Sequence, residues 1–116
     1  MKMNVIVQAA AENDVLSQFE WYAERQMEGI ARRFLAAFRL TVETLAKQPL
    51  VGVPKSFNNA QLAGLRIWPI KGFDKFQICY LAKDDHLTVV RVLHGSRDVA
   101  AILDERDAEA QDGDPF

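Results

Sequence analysis

The spacing of apolar residues changes along the chain and divides it into strands and helices. Met3, Val5 and Val7 share one face and alternate with polar Asn4 and Gln8, which predicts a short first strand over residues 3–7. From Ala9 the apolar residues recur every three or four positions, and the same helical period returns after a short break at residues 26–29. The second helix ends before Pro49, since proline cannot donate the hydrogen bond that would continue it. Two amphipathic helices with so short a connection predict an antiparallel helical hairpin.

The C-terminal half shows the two-residue period of β-strands. Three strands are predicted at residues 65–70, 73–82 and 87–94, after a polar linker over residues 51–63. A short helix follows, marked by apolar residues that return to helical spacing: Val99, Ile102 and Leu103. The predicted order is therefore β-α-α-β-β-β-α. This is an α+β fold in which the helical hairpin covers one face of a small, mainly antiparallel sheet.

Length and charge predict one domain with a separate acidic end. Of the 116 residues, the last thirteen hold six acidic residues and one arginine, a net charge of −5, whereas residues 1–103 carry +3. We therefore expect a single domain over residues 1–103 and a flexible acidic tail over residues 104–116. No apolar run reaches the roughly 18 residues of a membrane span, and the N-terminal apolar stretch is too short for a secretory signal. A cytoplasmic protein without membrane contact is expected.

Cysteine and histidine usage argues against a metal site. The chain has one cysteine, Cys79, in an apolar stretch, and no His/Cys spacing of the kind that binds zinc. We expect Cys79 to be a buried structural thiol, and we expect no metal or cofactor.

Basic residues in the predicted strands are the first candidates for target binding. Arg66 and Arg91 lie in strands, and an open groove on the sheet face away from the helices would give both a solvated place. Lys71, His94 and Arg97 lie close enough in sequence to join them as target-binding candidates. Guanidinium groups match phosphate and carboxylate oxygens, so the groove would suit RNA, DNA or an acidic protein segment. Alternatively, Arg97 pairs with neighbouring acids and only fixes the terminal helix.

His94, at the end of the last predicted strand, is the candidate general base. Its ordinary pKa lies near neutrality, and beside arginines it could deprotonate a ribose 2′-hydroxyl. The alternative is a hydrogen-bonded structural histidine, because no carboxylate or second histidine is placed to orient it.

Aromatic residues make the apolar face of the hairpin unusually wide. The candidates for a partner-binding surface on this face are Phe19, Tyr22, Phe34 and Phe38. The alternative is that each belongs to the core that the hairpin forms with the sheet.

Four segments together resemble the ParE branch of the ParE/RelE superfamily of bacterial toxins. They are LAKQPLVG (45–52), LRIWPI (65–70), FDKFQICYL (73–81) and VVRVLHGSRDVAAIL (89–103). The last contains a strand, a His-Gly-x-Arg-Asp turn and a short helix, and the resemblance extends over about residues 3–103.

The resemblance implies the toxin of a type II toxin–antitoxin pair. A cognate antitoxin would cover the hairpin 9–48 and the sheet edge in a toxin–antitoxin hetero-oligomer. ParE toxins act on DNA gyrase without known catalytic chemistry, whereas RelE-type relatives cut mRNA on the ribosome. The nuclease alternative would use Arg66, His94 and Arg97, but RelE-type sites often include a tyrosine and none follows Arg97 in this sequence. A homologue that binds its antitoxin without being toxic is the third alternative.

Overall fold

The computed structural model describes residues 2–95 and 102–103. Its helices and strands are β1 (Asn4–Val7), α1 (Ala9–Glu24), α2 (Glu28–Lys47), β2 (Val53–Pro54), β3 (Arg66–Ile70), β4 (Phe73–Lys83) and β5 (His86–His94). The α+β prediction is confirmed. Of the predicted terminal helix, Ile102 and Leu103 are helical, and the rest lies outside the described residues.

The five strands form one sheet in the order β1-β5-β4-β3-β2. β1 pairs with β5 in parallel, and the remaining pairs are antiparallel, as a mainly antiparallel sheet requires. β1 and β2 are the edge strands. β1 and β5 can pair in parallel because a long connection separates them along the chain, and this connection contains α1, α2 and strands β2 to β4.

The helical hairpin is closed by a tight turn without glycine. Gln26 adopts a left-handed conformation with φ of 59°, and the Met27 N–H donates to the Tyr22 carbonyl. α2 carries Glu28 in its first turn and Lys47 in its last, which suits the helix dipole.

The main core lies between the hairpin and one face of the sheet. Its buried residues are Ala11, Val15, Phe34, Phe38, Val42, Leu45, Ile70, Ile78, Tyr80, Leu87, Val89 and Val92. Phe34 is at its aromatic centre, with ring centroids 5.3 Å from Phe73 and 5.2 Å from Phe76.

A second apolar cluster covers the opposite face of the sheet. It consists of Leu62, Leu65, Cys79, Val90, Leu93 and Leu103. The prediction of an open, solvated groove on this face is therefore wrong where these side chains pack. A 3₁₀ turn over Ala60–Leu62 and the described end of the chain at Leu103 supply the covering side chains.

The predicted linker over residues 51–63 is not wholly irregular. Val53 and Pro54 form β2, pairing with Ile67 and Arg66. A two-residue strand that contains proline gives no alternating pattern, which is why the sequence did not reveal it.

A β-bulge changes which residues of β5 share a face. Tyr80 pairs with Val89 and Cys79 pairs with Arg91, so Val90 is an extra residue between them. Strict alternation predicted Val90 on one face with Val92, but Val90 packs in the second cluster and Val92 in the main core. The extra residue shifts the alternation by one position beyond Val89.

Candidate functional site

Arg91 is held by a carboxylate from the hairpin. Its Nε and Nη2 atoms donate to the two carboxylate oxygens of Asp14 on α1, at 2.7 Å and 2.9 Å. The side chains are only 21% and 16% exposed. The hydrogen bonds to Asp14 raise the pKa of Arg91, although partial burial acts in the opposite direction. The predicted position of Arg91 in an open groove away from the helices is therefore wrong.

The Asp14 carboxylate also accepts a backbone hydrogen bond at the edge of β5. β1 ends opposite Val89, so no strand among the described residues pairs with the edge of β5 beyond that point. One Asp14 oxygen accepts the Val92 backbone N–H at 2.9 Å. The Asp14 carboxylate thus accepts the Val92 N–H, which lies beyond the end of the short β1, and it also accepts two hydrogen bonds from the Arg91 guanidinium.

Arg66 and Tyr80 together fix the loop between α2 and β2. Arg66 Nη1 donates to the carbonyls of Gly52, at 2.8 Å, and Leu50, at 3.2 Å. The Tyr80 hydroxyl donates to the Pro49 carbonyl at 2.7 Å and accepts the Gly52 N–H at 2.9 Å. Burial raises the pKa of Tyr80, so the hydroxyl stays protonated as a donor. Arg66 faces the hairpin side beside Tyr80, not the groove predicted on the other face.

Gly52 is required by its approach to the Tyr80 ring. A Cβ at this position would lie 2.8 Å from Tyr80 Cε1 and 2.9 Å from Cζ. We expect Gly52→Ala to lower the free energy of unfolding by about 1–3 kcal/mol, because a rigid buried ring must move. Tyr80→Phe should cost about 1–3 kcal/mol through the unsatisfied Gly52 N–H and Pro49 carbonyl. Urea denaturation followed by circular dichroism measures both changes.

Gly29→Ala is the matched control for the glycine. Gly29 lies in α2, and a methyl group at this position would have no atom within 4 Å, so alanine should leave stability unchanged or raise it. Equal stability of Gly52→Ala and the parent chain would show that the loop does not depend on this contact.

The residues of the proposed nuclease set do not form one cluster. Arg66 pairs with Tyr80 of β4, whereas His94 pairs with Phe76, four residues away along β4 and on its other side. Four residues of antiparallel strand span about 14 Å, too far for both side chains to act on one bond. Arg97 lies outside the described residues.

His94 and Lys71 lie in different parts of the structure. The His94 ring packs edge-on against Phe76, with centroids 5.1 Å apart, and lines a 280 Å³ cavity that includes Asp14, Gln18 and Trp21. Lys71 is exposed in the β3–β4 turn, where its backbone N–H donates to the Thr41 hydroxyl at 3.2 Å.

The aromatic stripe of the hairpin is mostly core. Phe34 is 0% exposed and Phe38 is 8% exposed, so their predicted place on a partner surface is wrong for the free chain. Phe19 and Tyr22 are half-buried. The exposed apolar residues of the hairpin are ones that the sequence interpretation did not select: Leu16, Trp21, Met27 and Leu40.

Cys79 is buried and inert, as expected. It is 0% exposed, and desolvation raises its pKa to about 12 despite the nearby Arg91. A thiol in this state is not a nucleophile at neutral pH.

A comparison with known protein families identifies the family of this chain. Residues 5–99 match the model described as ParE toxin of type II toxin-antitoxin system, parDE. The chain belongs to the ParE toxin family. The match spans α1, α2, strands β2 to β5 and all of β1 except Asn4, and it includes the Asp14–Arg91 pair and the Tyr80 loop contacts.

A solved structure shares the ParE fold. A chain from the chromosomal ParDE system of P. aeruginosa superposes with a TM-score of 0.64 and 14% sequence identity. The match covers 80% of this chain and 96% of the other. No curated protein matches the sequence.

Two further observations concern the described part of this ParE-family chain. Within residues 2–95 and 102–103, neither helix is long and apolar enough to cross a membrane. The same residues contain no group of three or more His, Cys, Asp or Glu side chains placed to hold a metal ion.

Proposed function

We propose that this ParE-type toxin inhibits DNA gyrase by binding it, without catalysis, and that a cognate antitoxin neutralises it in the cytoplasm. Family membership supports the toxin role. The single observation that favours binding over nuclease chemistry is the separation of Arg66 from His94, each bound into a different part of the sheet. Arg66 and Arg91 already hold the loop carbonyls and Asp14, which leaves both arginines committed to the fold.

The antitoxin is proposed to cover the hairpin and the β1 edge of the sheet in a hetero-oligomer. Leu16 on α1 is 48% exposed, and Val5 and Ile6 on β1 are 39% and 46% exposed. Exposed apolar side chains of this kind are typical of a surface that a protein partner covers. Phe19 and Tyr22 would lie at the border of that surface rather than at its centre.

A supercoiling assay tests the proposed target. Purified gyrase holoenzyme, relaxed plasmid and ATP are mixed with increasing amounts of the toxin. We expect supercoiling to be inhibited, and His94→Gln to inhibit within about twofold of the parent chain, because a binding toxin needs no general base. Incorporation of labelled thymidine should stop in cells that express the toxin, while amino-acid incorporation continues.

Two results would contradict this function. Rapid mRNA cleavage with loss of translation, abolished by His94→Gln, would establish the RelE-type nuclease. No growth effect of the expressed chain would establish a non-toxic homologue. Co-expression with the product of an adjacent antitoxin-like reading frame should restore growth, which checks the partner separately.

A further inference from the structure

One continuous part of the chain lacks acidic residues. Residues 44–73 contain four basic side chains and no Asp or Glu, although the whole chain has sixteen acidic residues. The basic residues are Lys47, Lys55, Arg66 and Lys71. We call residues 44–73 the acid-free edge.

The structure places the acid-free edge at one side of the molecule. It comprises the last turn of α2, the Tyr80-bound loop, β2 at the sheet edge, the 3₁₀ turn and β3. Its exposed side chains include Leu50 at 70%, Val53 at 53% and Val51 at 36%. Three exposed aliphatic residues within four positions are unusual for a surface that only meets water.

An adjoining groove extends this apolar surface. Trp68 and Pro69 of β3 line it together with Leu40 of α2, which is 60% exposed, and its volume is 520 Å³. Lys71 also lines it, together with Asp74, the first acidic residue after the acid-free edge. Arg66 lies two residues before Trp68 on β3, and its guanidinium donates to the Leu50 carbonyl. This hydrogen bond holds the loop that contains Leu50 next to the strand that lines the groove.

The loop that presents the aliphatic side chains is rigidly held. Four hydrogen bonds join the side chains of Tyr80 and Arg66 to backbone groups of the loop, at Pro49, Leu50 and Gly52. The side chains of Leu50 and Val51 therefore remain exposed while their backbone is fixed. A preformed surface loses less conformational entropy on binding than a mobile one.

Lys55 and Lys71 have no salt-bridge partner among the described residues, whereas Lys47 interacts electrostatically with Glu43 and Arg66 donates to loop carbonyls. Positive charge around an aliphatic surface complements a partner that carries carboxylates around aliphatic side chains. Single-stranded nucleic acid would instead favour exposed aromatic rings for stacking, and Trp68 is half-buried.

We propose that the acid-free edge docks on an acidic, aliphatic segment of the toxin's target protein. The inference rests on the proposed function, because it assumes that the toxin acts by binding a protein. It separates two surfaces: the target contacts the β2 side of the sheet, and the antitoxin covers the hairpin and β1.

Substitutions inside and outside the acid-free edge test the inference. Leu50→Asp and Lys55→Glu change exposed side chains of the acid-free edge, and Lys83→Glu at the end of β4 is the matched control for a reversed charge elsewhere. We expect the two edge variants to need at least tenfold more full-length protein for half-maximal inhibition of gyrase supercoiling. The control should stay within about twofold of the parent chain. Thermal unfolding by circular dichroism must be unchanged in all three variants.

The outcomes separate this inference from the proposed function. Failure of the parent chain to inhibit gyrase overturns the gyrase target, and growth arrest in cells then tests the edge independently of the target. Edge variants as inhibitory, or as growth-arresting, as the parent overturn the inference. The inference is also overturned if sedimentation shows that the parent chain is a homodimer and that Leu50→Asp dissociates it, because the edge would then bind a second copy of the chain. Loss caused by Lys55→Glu alone, with loss of plasmid binding, would assign the edge to nucleic acid instead.

Discussion

Phe34→Ala is expected to lower the free energy of unfolding by about 3–5 kcal/mol, the range for a buried phenylalanine whose site cannot collapse. The Phe34 side chain is 0% exposed and contacts the rings of Tyr22, Phe73 and Phe76. These rings come from both the hairpin and β4, so the cavity would lie at the centre of the hairpin–sheet contact. Urea denaturation measures the change.

Leu16→Ala is the control for Phe34→Ala. Leu16 is also an apolar residue of the hairpin, but it is 48% exposed, so truncation should change stability by less than about 0.5 kcal/mol. The two variants also distinguish core from partner surface. If Phe34→Ala kept its stability and lost antitoxin binding, Phe34 would belong to the antitoxin surface and the core assignment would fail.

Asp14→Ala should lower the free energy of unfolding by about 2–4 kcal/mol. It leaves the largely buried Arg91 guanidinium without its counterion and the Val92 N–H without its acceptor. Asp14→Asn should cost less, since an amide oxygen still accepts one hydrogen bond. A guanidinium is charged throughout the neutral range, and hydrogen bonding to Asp14 raises the pKa of Arg91 further. On the basic side, the pair's contribution would be lost only as the pH rises through that raised pKa.

A double-mutant cycle isolates the pair. Asp14→Ala, Arg91→Met and the double variant should show a coupling of about 1–3 kcal/mol between the two side chains. Glu43→Ala is the comparison, because the Lys2–Glu43 pair is about half exposed on both sides and should have no measurable effect. Additive effects of Asp14→Ala and Arg91→Met would show that the two residues stabilise the fold independently.

The same variants separate activity from stability. Asp14 and Phe34 lie on the hairpin side of the sheet, away from the acid-free edge. A variant that remains folded at the assay temperature should therefore still inhibit the target. Loss of inhibition without loss of folding would move the target contact to the hairpin.

The periodicity of the sequence was sufficient to predict the two helices of the hairpin and every strand except β2. The three- and four-residue spacing of α1 and α2 and the alternation in β3 and β4 depend only on neighbouring residues, because each element must bury one face. The His-Gly-x-Arg-Asp turn and its flanking segments were enough to indicate the ParE family, which the family match over residues 5–99 supports.

The tertiary structure decided which side chains remain available. Arg66 and Arg91 were selected as free cations because local pattern cannot show that the Gly52 carbonyl and Asp14 meet them. The Asp14–Arg91 contact joins residues 77 positions apart, and it arises because β1 ends at Val7 and a bulge shifts β5 at Val90. The sequence thus determined the helices, most strands and the family. Long-range packing decided that these arginines stabilise the fold and that Leu50, Val51 and Val53 stay exposed.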